Sequence, residues 1–188
     1  PGPASIVAKV ATMWTIAGAV ILGSAVFVAT RDPNYRVERS IRVDAPPEKV
    51  FAVLRDFQQF EHWSPWEKLD PKMDKTFDGE VGEVGASYHW SGNNKVGQGT
   101  MTIVEVQANE GVDIRLEFFK PFASVCQTRS AVTQEGDHTI VTWTMKGKHQ
   151  NFMNKLFGLV MNMNKMLAKD FDAGLSRLKV YCETKALN

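Results

Sequence analysis

Two cysteines among 188 residues, Cys126 and Cys182, allow at most one disulfide and exclude a cysteine-stapled scaffold. They fall in a predicted strand and near the end of a predicted helix, and read as reduced thiols of a reducing compartment. The four histidines, His62, His89, His138 and His149, share no ligand spacing, so no metal is expected. A net charge of +1 leaves no basic footprint for nucleic acid. There is no G-x-S-x-G elbow. Gly79, Gly82 and Gly85 lie among strands, so they form no phosphate cradle ahead of a helix. Repeats and low-complexity tracts are absent, and neither a catalytic residue nor a cofactor is assigned.

The longest absence is of charge. Between Lys9 and Arg31 no residue is ionisable, and residues 10–30 are mostly apolar. A helix of that length is roughly 31 Å long, close to the ~30 Å thickness of bilayer hydrocarbon. A cleaved signal peptide would have a shorter apolar core and a clean A-x-A site. A buried core helix would show a polar face. The expectation is a transmembrane anchor over 1–31, followed by a domain over 35–188. Ala19 and Gly23 form a small-xxx-small pair at which a second membrane helix could approach closely. Arg31, Arg36, Arg39, Arg42 and Lys49 outweigh Lys9 and the amino terminus, which orients the domain toward the cytoplasmic side of a cell (inner) membrane. Asp32-Pro33-Asn34 is a turn too short to act as a leash.

After that turn the chain reads as ordinary globular sequence, in a protein 44% hydrophobic and 23% charged. Val37, Ile41 and Val43 share one face of a strand over residues 35–43. Asp44-Ala-Pro-Pro-Glu48 reads as a helix start with Asp44 as a potential cap, and Val50, Phe51, Leu54 and Phe57 come next at helical spacing. Pro65 then breaks the helix. Strands are predicted over 86–90, 100–106, 124–134 and 138–146. The clearest is the alternation of Val112, Ile114, Leu116 and Phe118 with Asp113, Arg115 and Glu117. From about Asn151 the period changes to 3.6. Leu156, Val160, Met163, Leu167, Phe171, Leu175, Leu178 and Cys182 mark a long amphipathic helix. The order is a strand, a helix pair, roughly six antiparallel strands and a terminal helix. Only that helix is long enough to cover the apolar face of the sheet.

Tyr35-Arg-Val-Glu-Arg-Ser-Ile-Arg-Val-Asp-Ala-Pro-Pro-Glu-Lys-Val-Phe51 resembles the opening of polyketide cyclase/dehydrase-like proteins. These belong to the START-like (SRPBCC), helix-grip superfamily that includes the birch pollen allergens. The likeness continues through Trp63-Ser-Pro-Trp66, Val84-Gly-Ala-Ser-Tyr88, Trp90-Ser-Gly92, Val96-Gly-Gln-Gly99, Phe119-Lys-Pro-Phe122, Thr142-Trp-Thr-Met145, Lys155-Leu-Phe-Gly158 and Lys169-Asp-Phe171. It implies an α+β fold, a curved antiparallel sheet around a long C-terminal helix, with a hydrophobic cavity between them. It also implies a lipid, sterol, polyketide or isoprenoid-like guest, and an N-terminal apolar segment is common in such proteins.

Candidate cavity residues are Trp63, Trp66, Tyr88, Trp90, Met101, Phe118, Trp143, Phe157, Met161 and Phe171, more large and adaptable side chains than a sheet-helix core strictly needs. For each of them plain core packing is the competing role. His89 lies between Tyr88 and Trp90 and faces away from them, while Glu61 and His62 sit near the expected mouth. Three functions remain open. The first is membrane-tethered binding or transfer of a hydrophobic small molecule. The second is an accessory subunit docking transmembrane helices of a larger complex. The third is a cyclase or dehydratase with a Tyr88- or His62-type acid/base. Expected partners are a lipid or other hydrophobic small molecule and the bilayer, with no nucleic acid.

Overall fold

The computed structural model describes residues 34–148 and 163–184, with Trp14, Thr30 and Asp32 besides. Most of the expected anchor, Ala19 and Gly23 included, lies outside the described residues, as do Phe157 and Met161. Among the described residues no helix is long and apolar enough to cross a membrane.

Strand β1, Asn34–Val43, buries Val37 and Val43 on the face that the alternation marked. Helix α1, Pro47–Arg55, starts with proline in its first turn, where a missing N–H costs nothing, and buries Val50, Phe51, Val53 and Leu54. Asp44 does not cap it. Its carboxylate pairs with Arg42 at 3.0 Å, and its backbone N–H donates to Glu183 Oε1 at 2.7 Å. Asp56 instead accepts from the Gln58 N–H at 2.8 Å and starts a 3-10 turn that leads into α2, Phe60–Trp63.

The remaining strands are β2 (Asp74–Asp78), β3 (Ser87–Ser91), β4 (Gln98–Gln107), β5 (Gly111–Lys120), β6 (Ser124–Glu135) and β7 (His138–Lys148). With β1 they form a seven-stranded antiparallel sheet in the order β1-β7-β6-β5-β4-β3-β2. Strand β2 is the one that hydrophobic alternation did not mark, because it is an edge strand of exposed polar residues around Phe77. A register shift between Ile103 and Glu105 bulges β4.

Helix α3, Met163–Thr184, packs Ala168, Phe171, Leu175, Leu178 and Cys182 inward at alternating spacings of three and four. The Phe171 ring stacks on Trp143 of β7 with centroids 4.0 Å apart. Gly174 makes this close seat possible, since a Cβ there would lie 3.1 Å from both Trp143 and Pro65. Polar ties fix the helix at its flanks. Arg39 meets Asp172 at 3.2 Å, Lys179 donates to the Arg42 carbonyl at 2.9 Å, and the Tyr181 hydroxyl donates to Gln59 Oε1 at 2.7 Å. An antiparallel sheet gripping a C-terminal helix is the helix-grip fold. Neither cysteine is in a disulfide, and both are buried.

Candidate functional site

A single row of register partners crosses all the strands: Tyr35, Gly147, Cys126, Leu116, Met101, Tyr88 and Phe77. Two residues along each strand, toward the Asn34 end of the sheet, Ser124, Phe118, Gly99, Trp90 and Lys75 form the next row on the same face. A cavity of about 230 Å³ lies against these rows. Trp66, Met73, Val96, Met145 and Leu167 complete its apolar wall, while Ser64, Glu67, Lys95 and Ser124 add polar atoms.

Two glycines shape the wall. Trp90 lies across Gly99, so that a Cβ on Gly99 would come within 2.4 Å of its ring, and the indole N–H donates to the Val96 carbonyl at 3.0 Å. Tyr35 lies across Gly147 in the same manner. Its hydroxyl reaches past that glycine to the sulfur of Cys126. Burial pushes the Cys126 thiol up to about 11, with the Tyr35 hydrogen bond pulling the other way. Burial and the neighbouring sulfur push the Tyr35 phenol well above its ordinary range.

The most polar part of the wall is Glu67, whose side chain is only 8% exposed. Its Oε1 accepts from the Tyr88 hydroxyl at 2.8 Å, and its Oε2 pairs with Lys75. Burial first, and then the hydrogen bond and charge of Glu67, push the Tyr88 phenol far up, so it stays a protonated donor. A buried carboxylate with two donors is satisfied, and its remaining lone pairs leave room for a donor from a guest.

Of the ten expected cavity residues, five line this space: Trp66, Tyr88, Trp90, Met101 and Phe118. Trp63, Trp143 and Phe171 are brought together elsewhere. They pack ring against ring between α2, β7 and α3, where Trp63 meets Trp143 at 5.2 Å. That cluster fills the space under the helix around Phe171, and the cavity lies toward the Asn34 end of the sheet, where Leu167 of the same helix helps to wall it. Trp63 is 1% exposed, and its indole N–H has no acceptor among the described residues.

His62 stacks on Tyr181 at 4.5 Å, and neither it nor Glu61 lines the cavity. His89 lies on the outer face, with Nδ1 2.8 Å from Thr100 Oγ1 and Nε2 3.2 Å from Asp78. Among the described residues no group of three His, Cys, Asp or Glu could hold a metal ion. Sequence reasoning passed over Tyr35, Met145 and Glu67. The first two share strand parity with residues it picked out, whereas Glu67 comes after a proline break and carries no periodic signal.

Fold and site together define a helix-grip protein with a mostly apolar cavity and one buried carboxylate. The family described as polyketide cyclase/dehydrase and lipid transport matches residues 35–183, and the chain belongs to it. A solved protein from Nitrosospira multiformis is similar at 20% identity and TM-score 0.59, over 82% of this chain and 100% of its own. DynU16, a putative protein in the dynemicin biosynthetic locus, is similar at 16% identity and TM-score 0.56, over 80% of this chain. This chain spans about half of it, 48%. The di-domain ARO/CYC StfQ from the steffimycin biosynthetic pathway matches at 11% identity and TM-score 0.56, over 84% of this chain and 53% of its own. At these identities the likeness is one of fold. No curated protein matches the chain.

Proposed function

We propose that this chain binds or transfers a hydrophobic small molecule, a lipid, isoprenoid or polyketide-like compound, at a membrane to which residues 10–30 tether it. The carrying observation is the cavity of about 230 Å³ walled by Trp66, Trp90, Met101, Leu116, Phe118 and Met145. Burial of apolar surface supplies the affinity, at roughly 25 cal/mol per Å². Glu67 and Tyr88 supply orientation, by selecting for a guest that carries a hydrogen-bond donor. The family's lipid-transport description supports the same reading. In this reading the domain faces the cytoplasm, and the short turn at Asp32 keeps it against the bilayer. Organic extraction and mass spectrometry of the purified chain test it. A lipophilic compound recovered in near-stoichiometric amount is expected; repeated preparations without one count against the reading.

A cyclase or dehydratase role is the second reading, favoured by the convergence of Glu67 and Tyr88 on the cavity. Glu67 would take a proton from an acidic carbon of the guest, while Tyr88 and Lys75 hold the carboxylate in place. A Glu67→Gln chain that still binds a polyketide-like probe but no longer converts it supports catalysis. Loss of binding and turnover together would make Glu67 an orienting group instead.

A further inference from the structure

The Asn34 end of the sheet gathers exposed aromatic and basic side chains. Lys148 is paired with Asn34 in register, the β5–β6 turn at Pro121–Ala123 comes directly after β5, and the β3–β4 hairpin carries Lys95. Gly97 locks these two turns together, since a Cβ there would meet the Lys120 carbonyl oxygen at 2.1 Å. On this joined rim Phe119 is 53% exposed and Phe122 is 61% exposed. Lys95, Lys120 and Lys148 are exposed beside them. Two of the acids nearby, Glu67 and Asp70, are engaged within the fold. Glu67 holds Lys75 and Tyr88, and Asp70 accepts from the backbone N–H groups of Lys72 and Asn93. Asp74, exposed on the edge strand, stands in the register row of Lys120 and lines an outer-face groove with Phe119, so it offsets one of the three lysines.

Chain length fixes which end can face a membrane. Three residues separate Thr30 from Asn34, so their Cα atoms lie at most about 14 Å apart. Asp32 shortens that link by accepting the Asn34 N–H at 2.9 Å. The cavity lies at this same end, where exposed Lys95 and half-buried Ser124 line it.

We propose that this rim docks on an anionic bilayer, with Phe119 and Phe122 entering the interface and Lys95, Lys120 and Lys148 meeting headgroups, so that the cavity opens onto the lipid. Aromatic rings favour the interfacial zone, and lysines are drawn to anionic surfaces. The inference rests on the tethered-binder reading and adds which face meets the lipid.

The test uses the full chain with Phe122→Cys or, at the opposite end of the sheet, Asp137→Cys, each carrying an environment-sensitive fluorophore. Cys126 and Cys182 are buried and stay unlabelled in the fold. Each chain is mixed with vesicles of equal parts phosphatidylcholine and phosphatidylglycerol containing doxyl-labelled lipid, and flotation is read on the same samples. The expected result is a blue shift and strong quenching at position 122 and neither at position 137. Quenching at 122 should be weaker with phosphatidylcholine alone, and weaker with Lys95→Glu, Lys120→Glu and Lys148→Glu combined. A chain that floats with both labels unquenched overturns the rim and leaves the tether standing. A chain that neither floats nor quenches overturns both. Equal quenching in the two lipids, or no effect of the charge reversals, overturns the role of the lysines.

Discussion

Trp90 over Gly99 and Tyr35 over Gly147 are the contacts that let the cavity wall lie flat against the sheet. Gly99→Ala should therefore destabilise the fold by about 1–3 kcal/mol, the usual cost of forcing an extra carbon into a packed site. Urea unfolding monitored by tryptophan fluorescence checks it. Tyr88→Phe removes one of two donors from a buried carboxylate and should cost about 1–3 kcal/mol. Adding Glu67→Gln should recover part of that loss, because the two side chains form one network, and a double-mutant cycle measures the coupling. Cys126 sets a pH dependence. Its thiol rises from 9.0 to about 11 on folding, so the native state holds a proton that the unfolded chain releases first. Stability is full below pH 9.0 and falls as pH climbs toward about 11, with the raised phenols of Tyr35 and Tyr88 acting in the same sense. Cys126→Ala should flatten part of that fall in urea melts taken across the range.

At the scale of elements, the stack of Phe171 on Trp143 joins α3 to the sheet. Phe171 is fully buried, and Phe171→Ala should cost about 3–5 kcal/mol in denaturant unfolding. The same elements mark what a sequence can and cannot disclose. The alternation at Val112–Phe118 and the threes and fours from Leu167 to Cys182 were legible because each element buries one face. Strand β2 was not legible, since an edge strand needs no apolar face of its own and takes its register from β3. Within the site, hydrophobic size picked out Trp90, Met101 and Phe118, and it also picked out Trp63, Trp143 and Phe171. Size cannot separate a ring that plugs the space under a helix from one that faces a void, because that depends on which rows the helix covers. Glu67 was invisible for a different reason. A single acid in a 3-10 turn looks like surface until the fold closes Tyr88 and Lys75 around it.

For the molecule as a whole, the aromatic plug under α3 places the cavity at the end of the sheet where the chain arrives from its uncharged N-terminal run. Cavity, exposed aromatic rim and proposed tether thus share one end, and under the proposed function a guest passes between lipid and cavity without crossing the domain. That arrangement depends on the cavity holding an apolar molecule, and titration with anilinonaphthalene sulfonate tests the point most directly. The intact chain should enhance the probe's emission saturably. Met101→Trp, which fills the void while near-ultraviolet circular dichroism reports a folded protein, should abolish the enhancement, and Thr76→Val on the outer face should leave it unchanged. Equal enhancement by the intact chain and Met101→Trp, or none by the folded intact chain, would contradict a ligand-binding cavity at this site.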